Sequence, residues 1–107
     1  MAPVVVFSTC GSRREAGLIA RELVKRRLAA CVNILPVNSF FRWNNKLQNE
    51  SEWLLIIKTR SELFARLKTR ICTINQSQVP EIVSLKINDG LTSYLKWLDS
   101  ETHLTRE

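Results

Sequence analysis

Between Leu28 and Thr59 the chain holds two long extended segments, LAACVNILPVNSFFRW and NESEWLLIIKT, with only Asn44-Asn45-Lys46-Leu47 between them. Asparagine accepts the positive φ of a tight turn better than other non-glycine residues, so two apolar runs joined this way read as a β-hairpin. Each arm can reach roughly twice the usual strand length of about five or six residues. The tips should therefore project beyond the domain that covers their bases. They carry Phe40, Phe41, Trp43 and, across the turn, Trp53. So much aromatic surface on a ribbon in water predicts pairing with further copies of the same chain.

The 107 residues suit one domain spanning 1–107. No apolar run approaches the ~18–20 residues that cross a bilayer. The start, Met1-Ala2-Pro3-Val4, enters a strand-like run with no basic region or cleavage site, so a cytoplasmic protein without membrane contact is expected. Cys10, Cys31 and Cys72 form neither an even set nor a Cys-x-x-Cys pair, which predicts reduced thiols. A formal net charge of +6 raises the question of an anionic partner. The excess falls on two predicted helices, at Arg13, Arg14, Arg21, Lys25, Arg26 and Arg27 and at Arg66, Lys68 and Arg70. Glu15, Glu22 and Glu62 are interleaved with these, the pattern of a solvated helix face.

Val4–Thr9 is β-branched and apolar, and reads as a buried central strand. Ser12-x-x-Glu15 makes a capping box for a helix from Ser12 to Leu28, and Gly17 inside it suggests close packing on a sheet. Pro36 has no N–H for a ladder, which puts the first hairpin arm at a bulge or on the sheet edge. Trp53–Thr59 is apolar enough for an interior strand covered on both faces. Leu63, Leu67, Ile71 and Ile74 keep helical spacing after Arg60-Ser61. A polar loop, a strand over Ile82–Ile87, a turn at Asn88-Asp89-Gly90 and a short helix with Leu91, Tyr94, Leu95, Trp97 and Leu98 complete the order. A polar tail from Asp99 to Glu107 follows, expected to be frayed over 100–107. This is the α/β (α+β) ferredoxin-like βαββαβ arrangement with a C-terminal helix and a long β2-β3 hairpin. Both connecting helices should lie on one face, with the first and third strands central. The other face is left to be covered by self-association.

Several blocks then match a known family in order and spacing: Val6-Phe7-Ser8-Thr9-Cys10, Lys25-Arg26-Arg27-Leu28-Ala29-Ala30-Cys31-Val32-Asn33, Glu50-Ser51-Glu52, Ile57-Lys58-Thr59, Val79-Pro80-Glu81-Ile82 and Tyr94-Leu95-x-Trp97. Across nearly its whole length the chain resembles the CutA divalent-ion tolerance family. The resemblance implies a tight homotrimer of ferredoxin-like protomers, similar in architecture to PII signalling proteins and linked to tolerance of copper and other divalent cations, with no established reaction. It also implies a polar cleft near a subunit boundary formed by Glu50, Glu52, Glu81 and Lys58, and trimer packing by Phe40, Phe41, Trp43, Trp53 and Trp97. Interface salt bridges are the plainer role for those carboxylates.

Family members often carry histidine just before the Val-Pro-Glu element, where imidazole can bind copper; here those positions read Ile74 and Asn75. The family's thiol at the end of the first strand is replaced by Ser8. Cys10, two residues on, shares Ser8's face if the strand continues, and is the remaining metal candidate. Its place before a helix N-terminus, beside Arg13 and Arg14, suggests a lowered pKa. His103 reads as a surface residue, Cys31 and Cys72 as packing thiols. No cofactor is required on this reading, copper or another divalent cation would bind weakly, and the ligand or protein partner is left open. The alternative, a nucleic-acid-binding ferredoxin-like module, needs an aromatic RNP-type strand that neither VVVFST nor WLLIIKT supplies. An enzyme is disfavoured because no histidine lies in the body and no nucleophile has an evident base.

Overall fold

Two periodicities assemble the molecule, alternation in the strands and three-to-four spacing in the helices. The computed structural model describes residues 2–102. In order it contains β1 (Pro3–Cys10), α1 (Arg13–Lys25), β2 (Cys31–Trp43), β3 (Lys46–Arg60), a 3₁₀ turn (Ser61–Leu63), α2 (Phe64–Ile74), β4 (Ile82–Lys86) and α3 (Thr92–Glu101). The strands form one sheet, ordered β2-β3-β1-β4, with all neighbours antiparallel. The ferredoxin-like order is thus as expected, with β1 and β3 central and Pro36 on edge strand β2.

Directly paired residues share a face. Register therefore sorts the sheet into a helix-covered face with Val4, Val6, Ser8, Cys10, Leu55, Ile57 and Thr59, and a second face with Val5, Phe7, Leu54, Ile56, Leu35 and Leu85. The first set is buried beneath Ala16, Ile19 and Leu23 of α1 and Leu67 and Ile71 of α2. On the second face Leu35 is 37% exposed and Leu85 50%. Covering on both faces, expected of β1 and β3, is therefore met within the chain on one face only. Part of the second face is covered by α3: Arg60, which register places there, ion-pairs Asp99 at 2.9 Å and donates to Thr102 Oγ1 at 3.0 Å. The expected fraying from residue 100 is corrected accordingly. Ser100 and Glu101 complete α3 and Thr102 is buried, while the rest of that tail and His103 lie outside the described residues.

Local chemistry fixes the boundaries. Ser12 caps α1, its Oγ accepting the Glu15 N–H at 3.1 Å. Among the described residues the expected return bond from Glu15 is not made; its Oε2 accepts the Gln76 N–H at 3.1 Å. α1 stops three residues earlier than its spacing suggested. Arg27 turns left-handed at φ 58°, and the N–H groups of Leu28 and Ala29 both reach the Leu23 carbonyl. Gly17 is no close-packing device, since a Cβ there would meet nothing within 4 Å. The hairpin turns on Asn44 and Asn45, both at positive φ (54° and 63°), the two-residue geometry whose twist suits antiparallel strands. From Val37↔Glu52 to Trp43↔Lys46 the ribbon runs past the end of β1, projecting roughly 20 Å. The longest dimension of the molecule is 44 Å.

Candidate functional site

The loop after α2 is held against the ends of β1 and α1 by side chains. Asn75 donates from Nδ2 to the Thr9 carbonyl at 3.0 Å and accepts the Ser77 N–H at 2.9 Å, while Glu15 holds Gln76. This stakes Ser77–Glu81 beside the place where the ribbon leaves the sheet. Between loop and ribbon opens a cleft of about 620 Å³. The ribbon contributes Ser39, Phe40, Phe41, Trp43, Glu50 and Glu52, β1 contributes Thr9, and the loop contributes Ser77, Gln78, Val79 and Glu81. Ser39 and Glu50 are cross-strand partners on the second face, with Phe41, Trp43 and Glu52 at alternate positions beside them.

Of the residues singled out from sequence, the structure brings Phe40, Phe41, Trp43, Glu50, Glu52 and Glu81 to this one cleft. The others lie elsewhere. Trp53 points to the helix-covered face, where the Arg13 guanidinium sits 5.8 Å from its ring centroid. Lys58 is occupied by Asn33 Oδ1 on the neighbouring strand and does not line the cleft. Trp97 lies on α3, packed against Tyr94 with 5.6 Å between ring centroids. Thr9, Ser39, Ser77, Gln78 and Val79 were not singled out. Val-Pro-Glu was the available signal for the last three, since it marks the loop that brings them.

β1 continues to Cys10, so Cys10 does share Ser8's face. Its setting is nonetheless not that of a reactive or metal-binding thiol. The side chain is fully buried, Sγ is 3.5 Å from the Ser12 carbonyl, and burial raises its pKa, with smaller upward contributions from the Glu15 and Glu52 charges. The expected lowering is thus reversed: desolvation of a thiolate outweighs the helix terminus. Ile74 packs against the core, and both ends of the Asn75 amide are committed to backbone. Among the described residues no group of three His, Cys, Asp or Glu side chains is spaced to hold a metal ion. This donor set does not fit copper. Cys72 is exposed and Cys31 half-buried, so neither is the core thiol expected. Among the described residues no helix is long and apolar enough to cross a membrane.

Comparison with known proteins agrees with this architecture. The family model described as CutA1 divalent ion tolerance protein matches residues 4–101. The divalent-cation tolerance protein CutA of Thermus thermophilus is 43% identical over 99 residues, which is 92% of this chain and 96% of that one. Among solved structures, CutA1 from Oryza sativa superposes with a TM-score of 0.95 at 35% identity, covering 98% of this chain and 97% of its own. The Archaeoglobus fulgidus CutA, described as periplasmic, gives 0.91 at 37% identity over 92% of this chain and 97% of its own. With sequence and fold matching over nearly the whole chain, it belongs to the CutA1 divalent ion tolerance family.

Proposed function

We propose that this protein is a non-enzymatic, self-assembling tolerance protein, working as a PII-like homotrimer and limiting the toxicity of divalent cations without holding the metal at the Cys10 corner. The observation that carries the reading is the second sheet face, which keeps Val5, Phe7, Leu35, Leu54, Ile56 and Leu85 together beside a projecting aromatic ribbon. An apolar face of this kind is stable in water only when covered. Closed rotational symmetry covers it without leaving a free edge. The tolerance role rests on the divalent-cation tolerance after which the relatives are named, and the three free thiols suit a reducing, cytoplasmic setting.

The test is growth of a host deprived of its own CutA-type protein. Expression of this chain should raise the copper concentration that halves growth, and Leu85→Glu, which puts a charge on the open face, should abolish the gain. Sedimentation of the purified chain should give the mass of three copies, and the Leu85→Glu variant a lower mass. No shift in copper sensitivity from a well-expressed protein, or a stable single chain, would refute the reading.

A further inference from the structure

We propose that the outer surface of the helix layer docks the phosphate backbone of a double-helical nucleic acid without reading its sequence. Charge is not spread evenly over the chain. In the segments 11–28 and 61–74, which hold the two connecting helices and their caps, nine cationic residues meet three carboxylates; in the rest of the chain seven meet seven. The whole net charge of +6 therefore lies on the side of the sheet that α1 and α2 cover. A basic face of this kind is the electrostatic footprint of a polyanion partner. It is the side opposite the face that further copies would cover, so it stays open whether or not the chain assembles, and the inference does not rest on the tolerance reading.

Arg14, Leu18, Arg21 and Lys25 recur at helical spacing along the exposed side of α1, a stripe about 17 Å long at the usual rise per residue. Its three cations take part in none of the ion pairs among the described residues. Past Lys25, between the end of α1 and α2, runs a groove of about 580 Å³ lined by Arg26, Arg66, Arg70, Thr69 and Thr73. The threonine hydroxyls donate to the carbonyls of Ala65 and Thr69, which leaves the guanidiniums as its donors. The interleaved glutamates do not neutralise this layer. Glu15 is turned to Gln76, and the single carboxylate of Glu22 is shared by Arg26 and by Arg70, 3.8 Å away. Seven of the nine cations are arginine, whose planar fork meets two phosphate oxygens at once. The same helices argue against the neighbouring partners. A bilayer would need an apolar helix face, and that of α1, with Ala16, Ile19 and Leu23, is spent on the core. A single strand would need rings for its bases, and the only ring on either helix is Phe64, half-buried with Lys68 Nζ 5.2 Å from its centroid.

Fluorescence anisotropy of a short labelled DNA duplex, titrated with the full chain from about 50 to 200 mM salt, tests the surface. Saturable binding is expected, with a Kd at or below about 100 μM at physiological salt and a slope of log affinity on log salt of about −3 or steeper. Arg14→Gln, Arg21→Gln and Lys25→Gln combined should weaken the duplex about ten-fold or more, since glutamine keeps the helix and removes the stripe's charge. Lys46→Gln, Lys86→Gln and Lys96→Gln combined, which take the same charge from exposed positions off the helix layer, should change it by less than about three-fold. Equal losses in the two variants would overturn the proposal, because attraction would then follow net charge and not a face. Tighter binding of the corresponding single strand, or of phosphatidylserine vesicles, would also overturn it, as would no saturable duplex binding at the lowest salt. The comparison of duplex, strand and vesicle on the unaltered protein decides the matter even if a variant fails to fold.

Discussion

At the scale of single residues, two buried hydroxyls on the same sheet face have opposite value. Thr59 Oγ1 donates to the Leu28 carbonyl at 2.7 Å and ties the end of β3 to the chain leaving α1. Ser8 Oγ is equally buried and has no partner among the described residues. A buried polar group without a partner costs about 1–3 kcal/mol, and replacing it by an apolar one recovers part of that. Ser8→Ala is therefore expected to leave urea stability unchanged or raise it by up to about 1 kcal/mol, while Thr59→Val loses about 1–2 kcal/mol. Both should be read at one fixed protein concentration. Cys10 gives a second prediction. Its folded pKa lies above its ordinary value, so the unfolded chain loses this proton first as pH rises. Its contribution to stability is complete below the unfolded pKa and is lost as pH climbs through the folded one. Unfolding free energy should fall from about pH 9 upward, and Cys10→Ala should flatten that limb. A limb unchanged by the substitution would refute the assignment.

At the scale of elements, the hairpin turn is the most testable joint. Asn44 and Asn45 both sit at positive φ, where a β-carbon is costly and glycine is free. Asn45→Gly should stabilise by a few tenths to about 1 kcal/mol, and Asn45→Val should destabilise by more than 1 kcal/mol, by thermal unfolding. The elements themselves were legible in local patterns. A short β-branched apolar run revealed β1 as a central strand, the run of Leu63, Leu67 and Ile71 revealed α2, and the Asn pair revealed the turn. What escaped was set by contacts distant in sequence. Glu15 left its own capping box for Gln76, sixty-one positions away, and Arg27 ended α1 in a conformation its residue type does not announce. The cleft joins β1, the ribbon and the 77–81 loop, so no window of sequence holds its pattern. Cys10 was misjudged because proximity to a helix terminus can be read from sequence and full burial cannot.

At the scale of the whole molecule, one face of the sheet is finished by the chain's own helices and the other only in part, by α3. If copies of the chain complete the second face, folding and association are coupled and the apparent stability must depend on concentration. The midpoint of thermal unfolding is expected to rise as protein is raised from low to high micromolar, and to become independent of concentration in Leu85→Glu. The projecting ribbon has one more consequence. Because it extends past β1 with no third strand beside it among the described residues, rungs can be added or removed near Asn44-Asn45 without touching the core. Both arms must change together, because a one-residue change in a single arm slips the register and exchanges the two sides. The reach of this arm can therefore vary only by whole cross-strand pairs.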